Sequence, residues 1–175
     1  FGIEKQYAYP HSQADAEALT DHFIHVFAPA RSPRNVLTAF EEAFARFCHT
    51  DYCVGVGNGL DALMLILRAL EIGPGDEVIV PSNTYIATAL AVTYVGATPV
   101  LVEPDIRTYN IDPTKIEKLI TPNTRALMIT NPGNPTGTVL TEQEMRLIAD
   151  IAKEHDLFLI CDEVYREFCY NDSGA

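Results

Sequence analysis

Residues 160–168, ICDEVYREF, set a carboxylate where ionisation is expensive. The apolar run Leu157-Phe158-Leu159-Ile160-Cys161 reads as a strand buried on both faces, and Asp162 and Glu163 follow it with no turn residue between. A charge at the end of such a strand is costly unless a cation meets it. Asp162 therefore has two readings. It caps a helix in a strand-to-helix turn, or it partners a buried cation carried by a ligand. A protonated pyridine nitrogen would justify the burial, and an acidic partner is what the pyridinium of pyridoxal phosphate takes.

Three other stretches carry chemistry of their own. Asn131 to Gly137, NPGNPTG, holds two Asn-Pro pairs and two glycines in seven residues. An ordinary turn does not need that density, so it reads as a rigid turn rich in hydrogen bonds. Gly57-Asn58-Gly59 precedes a predicted helix, and such glycines let backbone amides approach an anion at the helix N-terminus. A plain tight turn is the alternative. Tyr85 starts another predicted helix, and its ring is either a core aromatic or a flat face for a planar ligand. Gly55-x-Gly57-x-Gly59 is not a dinucleotide fingerprint: Leu60 stands where a glycine is needed, and the second strand ends Pro81-Ser82-Asn83 without an acid.

These residues need elements to hold them. Apolar strands are predicted at 52–56, 77–81, 98–103, 126–130 and 157–161. Helices are predicted at 59–72, 84–95, 113–120 and 142–155, the last opened by a capping box of Thr141 and Glu144. Gly73-Pro74-Gly75 and Gly96 are expected to end helices. The alternation predicts a three-layer α/β unit with a mostly parallel sheet. In such sheets ligands sit at the carboxyl ends of the strands. Asp162, Asn134, Tyr165, Tyr85 and Gly59 are thus expected to converge on one pocket. Upstream, residues 1–10 read as an arm, and a helix after Ser12 carries Ala16, Leu19, Phe23 and Val26 on one face. Ser32-Pro33 then starts a helix carrying Leu37, Phe40, Phe44 and Phe47. The expected division is an arm and helix at 1–33 and a main domain at 34–175.

Bulk properties exclude several function classes. The chain has 175 residues and a net charge of −12, which repels nucleic acid and anionic membranes. No apolar run is long enough to span a bilayer. The four cysteines have no metal-site spacing and read as reduced thiols in a cytoplasmic protein. His22 and His25 lack a third ligand, so no metal is expected; Asp15 and Glu17 read as solvated. The start at Phe1 suggests a chain trimmed, processed or cut from something longer.

Residues 34–170 resemble the pyridoxal-phosphate-dependent aminotransferases of the aspartate aminotransferase fold. VGVGNGLDAL, EIGPGDEVIVPSNTYIATALAV and TYNIDPTKIEKLITPNTRAL, within 34–125, are similar to the sugar aminotransferases of deoxysugar biosynthesis. NPGNPTGTVL and CDEVYREF, within 126–170, are similar to class I amino-acid aminotransferases. The chain thus reads as a chimera or an unusual branch. The resemblance implies that Gly59 and Leu60 offer backbone amides to the cofactor phosphate. Leu60 stands where many relatives carry a hydroxyl. Tyr85 would stack on the pyridine ring, Asn134 and Tyr165 would hydrogen-bond the phenolic oxygen, and Asp162 would hold the ring nitrogen. Lys5, Lys115, Lys118 and Lys153 do not match the family's Schiff-base lysine, so no catalytic residue is assigned. The resemblance implies an incomplete large domain, a small-molecule amino donor with a keto-sugar or keto-acid acceptor, and a homodimer for the full-length protein. The other functions in play are a non-catalytic module binding pyridoxal phosphate or a phosphate ligand, and a doubly wound nucleotide-binding domain.

Overall fold

The computed structural model describes residues 33–169. The N-terminal arm, the helix after Ser12, Lys5, the His22/His25 pair, Asp15, Glu17 and Ser32 lie outside the described residues. Helix α1 runs Pro33–Phe47 and α2 Gly59–Ala69; strand β1 is Glu77–Pro81 and α3 Ile86–Tyr94. Strand β2 is Thr98–Val102, followed by the short α4, Pro113–Ile116, and a 3-10 turn, Glu117–Leu119. Then come β3 Thr124–Thr130, α5 Glu142–Glu154, β4 Phe158–Asp162 and a second 3-10 turn, Arg166–Phe168.

The four strands form one parallel sheet in the order β2-β1-β3-β4. Side chains alternate across it, and each face has its own apolar layer. Val78, Val80, Ala126 and Met128 pack with Leu63, Ile66 and Leu67 of α2 and with Ala91 and Val92 of α3. Ile79, Leu127 and Ile129 pack with Ile116 of α4 and with Ile148 and Ile151 of α5. The three layers follow from strands whose residues are apolar in both directions. Burying one such Leu, Ile or Val stabilises by roughly 1.5–3 kcal/mol.

Local signals act as the sequence implies, with corrections. Thr141 and Glu144 form the capping box that starts α5. Gly96, at φ +87°, ends α3, with Ala97 N–H donating to Val92 O at 3.1 Å. Helix α2 stops earlier than Gly73, because Glu71 already takes a left-handed φ of 58° and Ile72 N–H donates to Leu67 O at 2.9 Å. His49 and Asp156 close α1 and α5 in the same way.

Two strand expectations change. Residues 52–56 form no strand: Tyr52 is 87% and Val54 62% exposed, and no described segment supplies ladder hydrogen bonds. A strand without a partner has only water for its backbone groups. Strand β4 is not buried on both faces. Among the described residues it pairs with β3 alone, and Phe158 is 39% exposed while Ile160 is buried. It stands at the edge of the described sheet, with a described strand on one side alone.

Candidate functional site

Because every strand runs the same way, Pro81, Val102, Thr130 and Asp162 end at one edge of the sheet. Helix α2 leads into the amino end of β1, so its own N-terminus faces the carboxyl edge. All the sequence-predicted site residues therefore belong to that edge.

The Asn-Pro turn after β3 is pinned by side chains as well as backbone. Asn131 N–H donates to Asp162 O at 3.0 Å, tying the turn to the end of β4. Asn131 Oδ1 accepts the Leu140 amide at 2.9 Å, across the whole turn. Gly133 N–H donates to Thr138 O and Gly137 N–H to Gly133 O, both at 2.8 Å. Gly137 has φ +69°, a conformation that favours glycine. A Cβ on Gly133 would stand 2.9 Å from Thr136 Oγ1. This frame presents Asn134, whose Nδ2 donates to Tyr165 Oη at 3.2 Å. The turn after β3 and the turn after β4 thus meet side chain to side chain.

Asp162 is opposite Thr130 in the ladder. Burial pushes its carboxyl up from the ordinary carboxylate range, and the Val164 amide, donating to Oδ1 at 3.3 Å, offsets only part of that. Among the described residues no cationic side chain lowers it. The bond to the Val164 amide is the local capping expected of an Asp after a strand, and among the described residues a 3-10 turn, Arg166–Phe168, follows it. Burial without a cation is what a ligand-borne positive charge would relieve. Tyr85 is the N-cap of α3 and is 57% exposed as a residue, so it is not a core aromatic.

At the α2 terminus, Asn58 Oδ1 accepts the Asp61 amide at 3.0 Å. The amides of Gly59 and Leu60 precede the helix ladder and have no intrahelical acceptor. A Cβ on Gly59 would meet nothing within 4 Å, so the approach is open. Asp61 itself sits in the first turn, with Asn58 Nδ2 donating to its Oδ2 at 2.9 Å. The chain's own carboxylate thus shares the positive end of the helix with any anion.

A shallow groove at this edge is lined by Thr84, Tyr109, Asn110, Thr130, Gly133 and Asn134, among others. The structure brings Asn134 and Tyr165 together and sets Asp162 and Tyr85 next to groove elements. Gly59 and Leu60 do not line the groove. Four of these lining residues escaped the sequence reading. Thr84 and Thr130 stand at strand ends, and their hydroxyls lie 3.3 Å apart; position after a strand could have found them. Tyr109 and Asn110 lie in a long loop after β2, where no spacing rule points.

None of the described lysines brings a free amine to this groove. Lys115 Nζ donates to Pro104 O at 3.1 Å and pairs with Asp112 at 3.2 Å. Lys118 and Lys153 are exposed on elements that lead into the amino ends of β3 and β4, the edge opposite the groove.

Known proteins share this chain's family and fold. The sequence model of the DegT/DnrJ/EryC1/StrS aminotransferase family matches residues 32–164. The dTDP-3-amino-3,6-dideoxy-alpha-D-galactopyranose transaminase of Aneurinibacillus thermoaerophilus is 56% identical over 123 residues, covering 70% of this chain and 32% of that protein. Aromatic-amino-acid aminotransferase 2 of Thermococcus litoralis is 39% identical over 123 residues, covering 70% of this chain and 31% of that protein. Among solved structures, S. venezuelae DesV superposes with a TM-score of 0.67 at 44% identity, covering 85% of this chain and 39% of its own. Thermus thermophilus aspartate aminotransferase superposes at 0.62 with 35% identity, covering 66% and 30%. The chain spans about a third of the length of the curated relatives it matches. No helix among the described residues is long and apolar enough to cross a membrane.

Proposed function

The chain belongs to the DegT/DnrJ/EryC1/StrS aminotransferase family, and from that premise we propose that it is the cofactor-holding part of a pyridoxal-phosphate aminotransferase. Family members and their fold neighbours depend on that cofactor. The whole protein would move an amino group from a small-molecule donor to a keto acceptor. A keto sugar is the favoured acceptor, since a deoxysugar transaminase is 56% identical; a keto acid is the alternative. The observation that carries the reading is the hydrogen bond between Asn134 and Tyr165, on the turns after β3 and β4, with the partly buried Asp162 at the end of β4 meeting no cation among the described residues.

The donor set suits the group. When bound, pyridoxal phosphate supplies a ring that accepts electrons. Asp162 would keep a proton on the ring nitrogen, and that charge would offset the carboxylate's burial. Asn134 Nδ2 and Tyr165 Oη would donate to the phenolic oxygen. Tyr85 would cover one ring face. The Gly59 and Leu60 amides would hold the phosphate, with no hydroxyl from Leu60. We assign residues 34–175 to the cofactor-binding large domain, with 1–33 as an arm and helix. We also propose that the whole protein is a homodimer working in the cytoplasm. The exposed apolar side chains of Ile86 and Tyr94 on one short helix support the dimer.

A non-catalytic binding module remains as a second reading, because Lys115 is engaged and Lys118 and Lys153 stand at the opposite edge. Absorbance tests both. Pyridoxal phosphate added to the chain is expected to give a visible band that dialysis removes and borohydride does not fix. Absence of any bound cofactor overturns the site. A borohydride-fixed band with turnover of keto acids or keto sugars, lost on replacing one lysine, overturns the lysine assignment.

A further inference from the structure

We propose that Asn110 is a positioning residue that sets Asn134 toward Tyr165. It rests on the cofactor reading above, but its geometry stands apart. Asn110 is 7% exposed, one of few buried polar side chains. Its Nδ2 donates to Val139 O at 3.0 Å, and its Oδ1 accepts from Thr138 Oγ1 at 2.7 Å. Both partners belong to the Asn-Pro turn. Thr138 O in turn accepts the Gly133 amide at 2.8 Å, one residue before Asn134. On its own side, Asn110 O accepts the Asp105 amide at 2.9 Å, and Asn83 Nδ2 donates to Tyr109 O at 2.8 Å. The loop after β2 is therefore anchored before it grips the turn.

An amide is the side chain this task needs. It donates and accepts at once, in one plane. Asp would leave Val139 O without its donor, and Leu would leave both turn groups without a partner inside a buried contact. Asn110 acts on the ligand through Asn134, with no contact to the reacting atoms required.

The test is a double-mutant cycle on the 175-residue chain. Pyridoxal phosphate affinity is measured by absorbance titration for wild type, Asn110→Ala, Asn134→Ala and the double variant. Asn110→Ala is expected to weaken binding about tenfold. In the Asn134→Ala background the same change is expected to have an effect below about twofold. Equal effects in both backgrounds overturn the proposal, since Asn110 would then act directly or through general stability. A second readout needs no cofactor. Asn110→Ala is expected to shift the Asn134 side-chain amide NMR signals and speed hydrogen exchange at the Gly133 and Gly137 amides. Unchanged signals overturn the proposal. If wild type binds no cofactor, the functional reading fails and the NMR arm alone decides the role of Asn110. If Asn110→Ala does not fold, Thr138→Val removes one of the two bonds and is scored the same way, with Thr138→Ser as the rescue.

Discussion

The turn at 131–140 and the glycine segment at 50–58 both deliver backbone to the carboxyl edge, but they are held differently. The turn is bonded to itself, to Asn110 and to the end of β4. The glycine segment leans on α1. Its Gly55 amide donates to Glu41 Oε1 at 2.7 Å, while Tyr52 and Val54 stay largely exposed. The difference teaches that two ends of one proposed ligand site have unequal support. The end facing the ring is preorganised by polar side chains growing from a strand whose centre, Ala126 to Ile129, is fully buried. The end facing the phosphate depends on one helix cap and one carboxylate.

That contrast can be broken at the root of the turn first. Leu127 is completely buried in β3, and Leu127→Ala is expected to cost about 3 kcal/mol in urea denaturation. A loss below about 1 kcal/mol would mean that β3 is not the rigid base. Next comes the turn itself. Asn131→Ala strands the Leu140 amide and is expected to cost about 1.5 kcal/mol by the same assay, with faster exchange at that amide. On the other side of the comparison, Asn58→Ala removes the α2 cap and is expected to cost about 1 kcal/mol. It should leave exchange at Gly133 and Gly137 unchanged. If it speeds them, the two regions are coupled and the contrast fails.

The smallest effect is electrostatic. The Asp162 carboxyl is raised by burial, so its protonated form is the one the fold prefers. Its stabilising share is complete below the unfolded value of 3.8 and is lost as pH rises through the raised folded value. Asp162→Asn is therefore expected to make the cofactor-free chain slightly more stable at pH 7, with the gain shrinking as pH falls toward 3.8. Urea midpoints across that range check the sign. The same variant should bind pyridoxal phosphate more weakly, and tighter binding would remove Asp162 from the proposed site.

Much of the architecture was legible in the chain because its signals are local. Strands such as Glu77–Pro81 and Thr124–Thr130 are apolar in succession, and only a sheet covered on both faces accommodates that. Thr141 and Glu144 specify a helix start within four residues. Asp162, Asn134 and Tyr165 are proposed site residues picked out by their position at or after strand ends, and the parallel order carries them to one edge. Residues 52–56 misled because their composition suits a strand but pairing depends on a distant partner. Left-handed stops at His49, Glu71 and Asp156 have no glycine to announce them. Asn110 was silent for a stronger reason. It lies 28 residues before Thr138 and 29 before Val139, and an asparagine in a loop looks the same whether solvated or buried. Hydrophobic period and turn chemistry act within a few residues, so sequence alone settles them. Which polar side chains meet across the sheet edge depends on strand order and register, and only the folded chain decides that.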